Sequence, residues 1–467
     1  MKIKISILFS YCLVNFALAD EPLITEDPNV DHVDAASSYI SKSAYTQNPY
    51  NSLTSLGGTQ VVTESQLEND SVAKKWFGDG TWNVAGAATY YNQNNAANYG
   101  YAANIFAQTG YVNGFAFGTL LTIANPISLG VNPSAPINQA QDIPINYTVT
   151  PQELYVEYQY KNIVQVDAGW IGINNVPWLT YYQNNALNVM TYQGVSVNLN
   201  PSRGWLLTAL AFNSAQIIGE TGFSQLTLYN QNDVFNQFGL SGLTSSQGSP
   251  GTIAVGSTWN SYDQNLNVRL WGYQFYNYAN LAYADSSLKL PVNKDLYFTL
   301  AAQAAVEQPN GADVLQTSGY GTASSNAVGF QVGLNYKIWG LQLAYNNISG
   351  PSNGYASGDI VSPYTYLYAT DPLYTTGFLS GLIELASGNA YKIAPTLNLL
   401  DDNLQILPSY EYFATTYIPA TTEYDLQLLY NIPQIKGLSL FGGFGYLQQD
   451  PSMGGNSYQA QIFVNYL

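Results

Sequence analysis

Groups able to make or break bonds are scarce in this chain of 467 residues. A serine, threonine or cysteine nucleophile needs a partner base, most often histidine. His32 is the only histidine and Cys12 the only cysteine, and both precede the patterned region that starts at Thr81. Zinc-type catalysis draws on the same side chains as ligands. Adjacent acids such as Asp401-Asp402 could in principle form a two-carboxylate site, but a turn accounts for them better. No catalytic set, metal centre or cofactor is therefore expected, and the chain is not expected to be an enzyme. The chemistry left to residues 81–467 is that of charges, amides and phenols, which steer and bind.

Which charges those are depends on the elements that carry them. The stretch Asn162 to Asn200 opens with Val164, Val166, Ala168 and Trp170 on one parity and Gln165, Asp167 and Gly169 on the other. It closes with Val195, Val197 and Leu199 against Ser196, Asn198 and Asn200. A period of two is that of a strand with one apolar and one polar face. Between them lie Gly172, Asn174, Asn175, Pro177, Trp178, Tyr181, Tyr182, Asn184 and Asn185, which fit neither strand nor amphipathic helix. In a wide barrel such an insertion can fold inward and narrow the hole.

The same alternation recurs from Thr81 to the end. Phe330, Val332, Leu334, Tyr336 and Ile338 alternate with Gln331, Gly333, Asn335 and Lys337; Ile462, Val464 and Tyr466 alternate with Gln461, Phe463 and Asn465. Eighteen such segments of about ten residues can be counted, with 16 as the lower bound, and aromatics gather toward their ends as an interfacial girdle requires. Short connections roughly alternate with long ones such as Ala124 to Thr150, Ser214 to Pro250, Glu307 to Ser325 and Ser349 to Asn389. The expected fold is all-β, a closed transmembrane antiparallel barrel, which leaves no free edge and satisfies its backbone hydrogen bonds within lipid. If Val164, Val166 and Trp170 face lipid, Asp167 faces the lumen. The same parity puts Glu157, Lys161, Arg269, Lys337, Lys392, Glu411, Glu423 and Asp425 inside.

Composition agrees. Only 9% of residues are charged while Tyr numbers 40, against about 25% charged in soluble domains. Residues 1–19 read as an export signal, with Lys2 and Lys4, an apolar core and a small-x-small site before the bond between Ala19 and Asp20. Residues 20–80 form an acidic extension and 81–467 the barrel. Without Lys2 and Lys4, 11 bases oppose 30 acids, a formal charge of −19, which argues against nucleic acid as a partner.

The chain resembles the OprD-like, eighteen-stranded outer-membrane porins of Gram-negative bacteria. The likeness runs in pieces: TWNVAGAATYYNQNN with YAANIFAQTGYVNGFAFGTLL, NNVPWLTYYQNNALNV with MTYQGVSVNL, NVRLWGYQFYNYANLAYADSSL, and EYDLQLLYNIPQIKGLSLFGGFGYLQQD. The resemblance implies a passive channel in the outer membrane, with the second pair as its inward constriction segment. Two features depart from the family. Its lumen ladder of arginines and lysines shrinks here to Arg203, Arg269 and six lysines against twenty acids in residues 81–467, and Asn184-Asn185 stands where an arginine is usual. The last aromatic, Tyr466, is penultimate.

The expected function is diffusion of small polar solutes or ions, with a mild cation preference. The alternative is an adhesin or receptor whose long loops bind a partner. Expected partners are outer-membrane lipid and lipopolysaccharide, the barrel-assembly machinery and small polar solutes; a monomer is favoured over a trimer.

Overall fold

In the computed structural model, the described residues are 76–93, 96–126, 147–173, 176–179, 190–217, 222–230, 243–365, 372–416, 418–435, 437–451 and 455–466. They form eighteen strands. The first nine are β1 (Thr81–Gln93), β2 (Ala96–Gln108), β3 (Phe115–Pro126), β4 (Thr148–Tyr160), β5 (Val164–Ile171), β6 (Thr191–Leu199), β7 (Trp205–Gln216), β8 (Thr252–Asn260) and β9 (Leu266–Phe275). The others are β10 (Ala279–Pro291), β11 (Leu296–Pro309), β12 (Ser325–Tyr336), β13 (Trp339–Ser349), β14 (Gly388–Leu399), β15 (Leu404–Thr415), β16 (Thr421–Asn431), β17 (Leu438–Gln448) and β18 (Ser457–Tyr466). Each strand pairs antiparallel with the next in sequence, and β1 also pairs with β18. The sheet is thereby closed, so no strand edge is left to bond with anything else.

The expected upper count of eighteen strands is the observed one. The connections are unequal. Those following even-numbered strands are two to six residues long, whereas those following odd-numbered strands include 172–190, 217–251 and 350–387. One rim is thus trimmed to tight turns and the other carries long insertions, as in outer-membrane barrels.

The pleat sorts side chains cleanly. On β12, Val328, Phe330, Val332, Leu334 and Tyr336 are exposed outward while Gln331 is buried; on β16, Tyr424, Leu426 and Leu428 face out while Glu423, Asp425 and Gln427 are buried. Ile462 and Tyr466 of β18 face out as expected. An outward band of apolar residues around a polar interior is the reverse of a soluble protein and fits lipid as the outer solvent.

Two local irregularities have sequence causes. Pro151 lacks an N–H, and the register of β4 against β3 shifts between Leu120 and Leu121, so that Gln152 is the extra residue of a bulge and Glu153 follows it inward. Between β14 and β15, pairing lapses from Ile393↔Tyr410 to Leu397↔Ile406. In that register Pro395 and Pro408 would oppose each other, and neither has a donor to give.

Candidate functional site

Strands β1 to β18 carry eight carboxylates and three bases, and all eleven side chains lie on the inner face. The acids are Glu153, Glu157, Asp167, Asp285, Glu307, Glu411, Glu423 and Asp425; the bases are Arg269, Lys289 and Lys392. The interior therefore holds seven of the nine residues expected to line it. Lys161 and Lys337 are the exceptions and require correction: both are exposed turn residues with φ of 50° and 52°. One residue past Tyr160 and Tyr336 the backbone turns left-handed, and parity ceases to report a face. Their ammonium groups lie 5.7 and 5.3 Å from the rings of Tyr160 and Tyr336 respectively.

Eight of the interior charges form three groups. On β4 and β5, Glu157 and Asp167 are cross-strand partners. Glu157 accepts hydrogen bonds from Gln108 Nε2 at 2.8 Å and from the Tyr111 hydroxyl. Tyr111 lies in the β2–β3 turn, and burial, then the Glu157 carboxylate, push its phenol far above the ordinary range, so it stays a donor. On β9 and β10, Arg269 makes a two-atom ion pair with Asp285, which also accepts from the Tyr283 hydroxyl at 3.1 Å. On β14 to β16, Lys392 Nζ meets Glu411 Oε1 at 2.9 Å, beside Glu423 and Asp425.

Long-rim connections fold into this interior. From the expected constriction segment, Gly172 and Trp178 are described, whereas Asn174, Asn175, Tyr181, Tyr182, Asn184 and Asn185 lie outside the described residues. Trp178 is fully buried and meets the Tyr283 ring edge-on with centroids 5.9 Å apart, and the Tyr273 hydroxyl donates to the Pro177 carbonyl. The segment after β5 thus reaches β9 and β10 along the inner wall. It joins a core that includes a ladder of Trp271, Tyr273 and Phe275, stacked 5.7 and 5.5 Å apart on β9.

A second inward segment went unread in the sequence. The connection 350–387 packs Tyr364 against Phe212 with centroids 5.1 Å apart, and its Val361 N–H donates to Glu307 Oε2 at 2.9 Å. Residues 372–379 then run along the wall as a strap. Thr375 N–H donates to Asn346 Oδ1 of β13 at 3.1 Å, Lys392 of β14 donates to the Thr376 carbonyl at 2.6 Å, and Phe378 N–H donates to Asp425 Oδ2 of β16 at 2.8 Å. Leu379 N–H donates to Glu423 Oε1, and the Phe378 ring packs 6.1 Å from that of Phe441 on β17. The Phe378 and Leu379 donors meet ionisable oxygens, which form the stronger class of hydrogen bond. Nothing in PLYTTGFL announces this, because its hydrogen-bond partners on the strands are 16 to 47 residues away and the segment has no period.

The inner faces of β18, β1, β2 and β3 differ again: Gln461, Thr89, Asn104 and Thr122 make a wall of amides and hydroxyls, with Thr122 donating to Asn104 at 2.6 Å.

No protein-family model matches this chain, and no curated protein matches it in sequence. Solved structures do match its fold. Pseudomonas aeruginosa OpdK, crystallised with vanillate, superposes with a TM-score of 0.66 at 14% identity, over 84% of this chain and 99% of OpdK. Acinetobacter baumannii OccAB3 gives 0.68 at 13% identity over 84% and 99%. Pseudomonas aeruginosa OprD gives 0.63 at 13% identity over 84% and 96%. This chain has the OprD-type barrel fold. Its inner strand faces carry eight acids against three bases.

Proposed function

We propose that this protein is an outer-membrane porin of a Gram-negative bacterium, a passive channel for small polar solutes and ions. The observation that carries this reading is the sorting of charge. All eleven charged strand residues face inward on a closed barrel whose outside is apolar. A lysine or arginine turned outward at mid-membrane would cost roughly 2–4 kcal/mol, so the arrangement fits a lipid-embedded wall around a wet lumen. Relatives in fold support small solutes as cargo: OpdK was crystallised with vanillate and OccK2 with glucuronate. The inward segments at Trp178 and at 372–379 set the width of the passage. Residues 1–19 act as an export signal and 20–80 as an acidic extension. Lipopolysaccharide and the barrel-assembly machinery are the partners this setting supplies.

A second reading is favoured by the aromatic core around Trp178, Tyr273 and Tyr364 inside the barrel: a filled barrel that presents its long connections to a binding partner. Liposome swelling separates the two. Purified protein that shows heat-modifiable gel mobility should make liposomes permeable to a small sugar such as arabinose and less so to a trisaccharide. A folded barrel that leaves arabinose excluded would sink the channel reading and favour the filled one.

A further inference from the structure

Charge is sorted along the barrel axis as well as across its wall. The connections of the long rim contain no Lys or Arg at all, and Asp313, Asp359 and Asp450 are among their described residues. Bases gather instead at the short-turn rim, where Lys161, Arg203, Lys294 and Lys337 stand in the turns. Lys289 sits just inside that mouth, 4.2 Å from the centroid of the Tyr297 ring. In the interior between the rims, Arg269 and Lys392 are each tied to a carboxylate, Asp285 and Glu411. Among the described residues, a solute moving inward from the long rim therefore meets no base outside an ion pair until Lys289. It passes six further strand carboxylates on the way.

Not every polar group of this interior is partnered by protein. Glu307 is 2% exposed and keeps one carboxylate oxygen without a partner, and the fully buried amide of Gln152, next to Glu153, has none for either atom. Acids outnumber bases by five on the inner strand faces, and the charge they carry between low-dielectric walls is focused along the lumen and concentrates counter-ions there. Salt screens it beyond about 8–10 Å, so the carboxylates on the walls themselves, rather than distant loop charges, govern passage.

We infer that the channel is built to take in cationic solutes, small ammonium-type organic ions and inorganic cations, at its long rim, and to disfavour carboxylates. This rests on the channel reading above and adds the class of cargo. It sets the protein apart from the fold relatives crystallised with vanillate and glucuronate, both carboxylate-bearing.

The test is the zero-current potential of the full-length protein in a planar bilayer under a KCl gradient. A potassium-over-chloride permeability ratio of at least about threefold is expected, below the tenfold or more that strongly focused fields reach. The variant Glu153→Gln, Glu157→Gln, Asp167→Asn keeps side-chain size and should bring the ratio toward one; heat-modifiable mobility checks that it folds. Swelling with ethanolamine against glycolate gives the same comparison with organic probes. A conducting channel with a ratio of one or below overturns the inference and leaves the channel reading standing. A ratio unmoved in the folded triple variant overturns the assignment to these carboxylates. No conductance at all overturns the channel reading, and the inference with it.

Discussion

Moving one guanidinium by a single residue tests the membrane-facing wall. Leu270 is 56% exposed and lies near the middle of β9, directly beside the inward Arg269. Leu270→Arg places on the outside the same group that Arg269 holds inside against Asp285. At the bilayer midplane this costs about 2–4 kcal/mol, and each 1.4 kcal/mol is tenfold, so the folding equilibrium should fall by roughly 30- to 700-fold. The companion Asn267→Arg keeps the charge on the inner face near the short-turn mouth. It gives up the 2.8 Å hydrogen bond from Asn267 to Asn260, worth about 0.5–1.5 kcal/mol. The assay is urea titration of folding into lipid vesicles, followed by tryptophan fluorescence and gel mobility. Equal losses in the two variants, or a loss confined to Asn267→Arg, would refute the assignment of faces.

Three further outcomes follow from the interior and the turns. Gly377 sits so close to Glu423 that an added Cβ would lie 2.6 Å from its carboxylate carbon; Gly377→Val should therefore lift the strap and raise single-channel conductance, and unchanged conductance in the folded variant would detach the strap from the channel's width. Lys392→Met strands Glu411, which is fully buried, and should cost about 3–5 kcal/mol in the vesicle titration, most of it recovered by adding Glu411→Gln; a single-variant loss under about 1 kcal/mol would contradict the pairing. In the β8–β9 turn, hydrogen bonds from Ser261 and then Asn265 hold the Asp263 carboxyl below its usual range. A depressed folded value means its contribution is present above the unfolded pKa of about 3.9 and lost as pH falls through the folded value. Amide protection of residues 261–265 should drop in that acid window, and Asp263→Asn should abolish the drop.

Most of the wall was legible because a strand facing lipid on one side and water on the other has a strict period of two. β12 and β16 alternate without a break, so Glu423 and Asp425 could be placed inward from sequence. Where the contrast fails, the reading fails with it. Glu153 shares the parity of Glu157 but stands at the bulge of Gln152, where the alternation that begins at Leu154 breaks off. Asp285 was missed because the outer face of β10 presents Ala282, Ala284 and Ser286, too weakly apolar to mark a side. Glu307 closes β11, where the pattern runs out. Lys161 and Lys337 erred the other way, through alternation extended into turns. The strap was illegible for a different reason. Its position is fixed by Asn346, Lys392, Glu423 and Asp425, contacts that exist only once the barrel has closed.

Single-channel recording tests the central claim most directly. The full-length protein is added to a planar bilayer in 1 M KCl, beside a variant in which residues 372–379 are replaced by Gly and Ser. A porin narrowed by inward segments should give discrete steps from both proteins, larger for the replacement. Folded, heat-modifiable protein that yields no steps in either form would contradict the account.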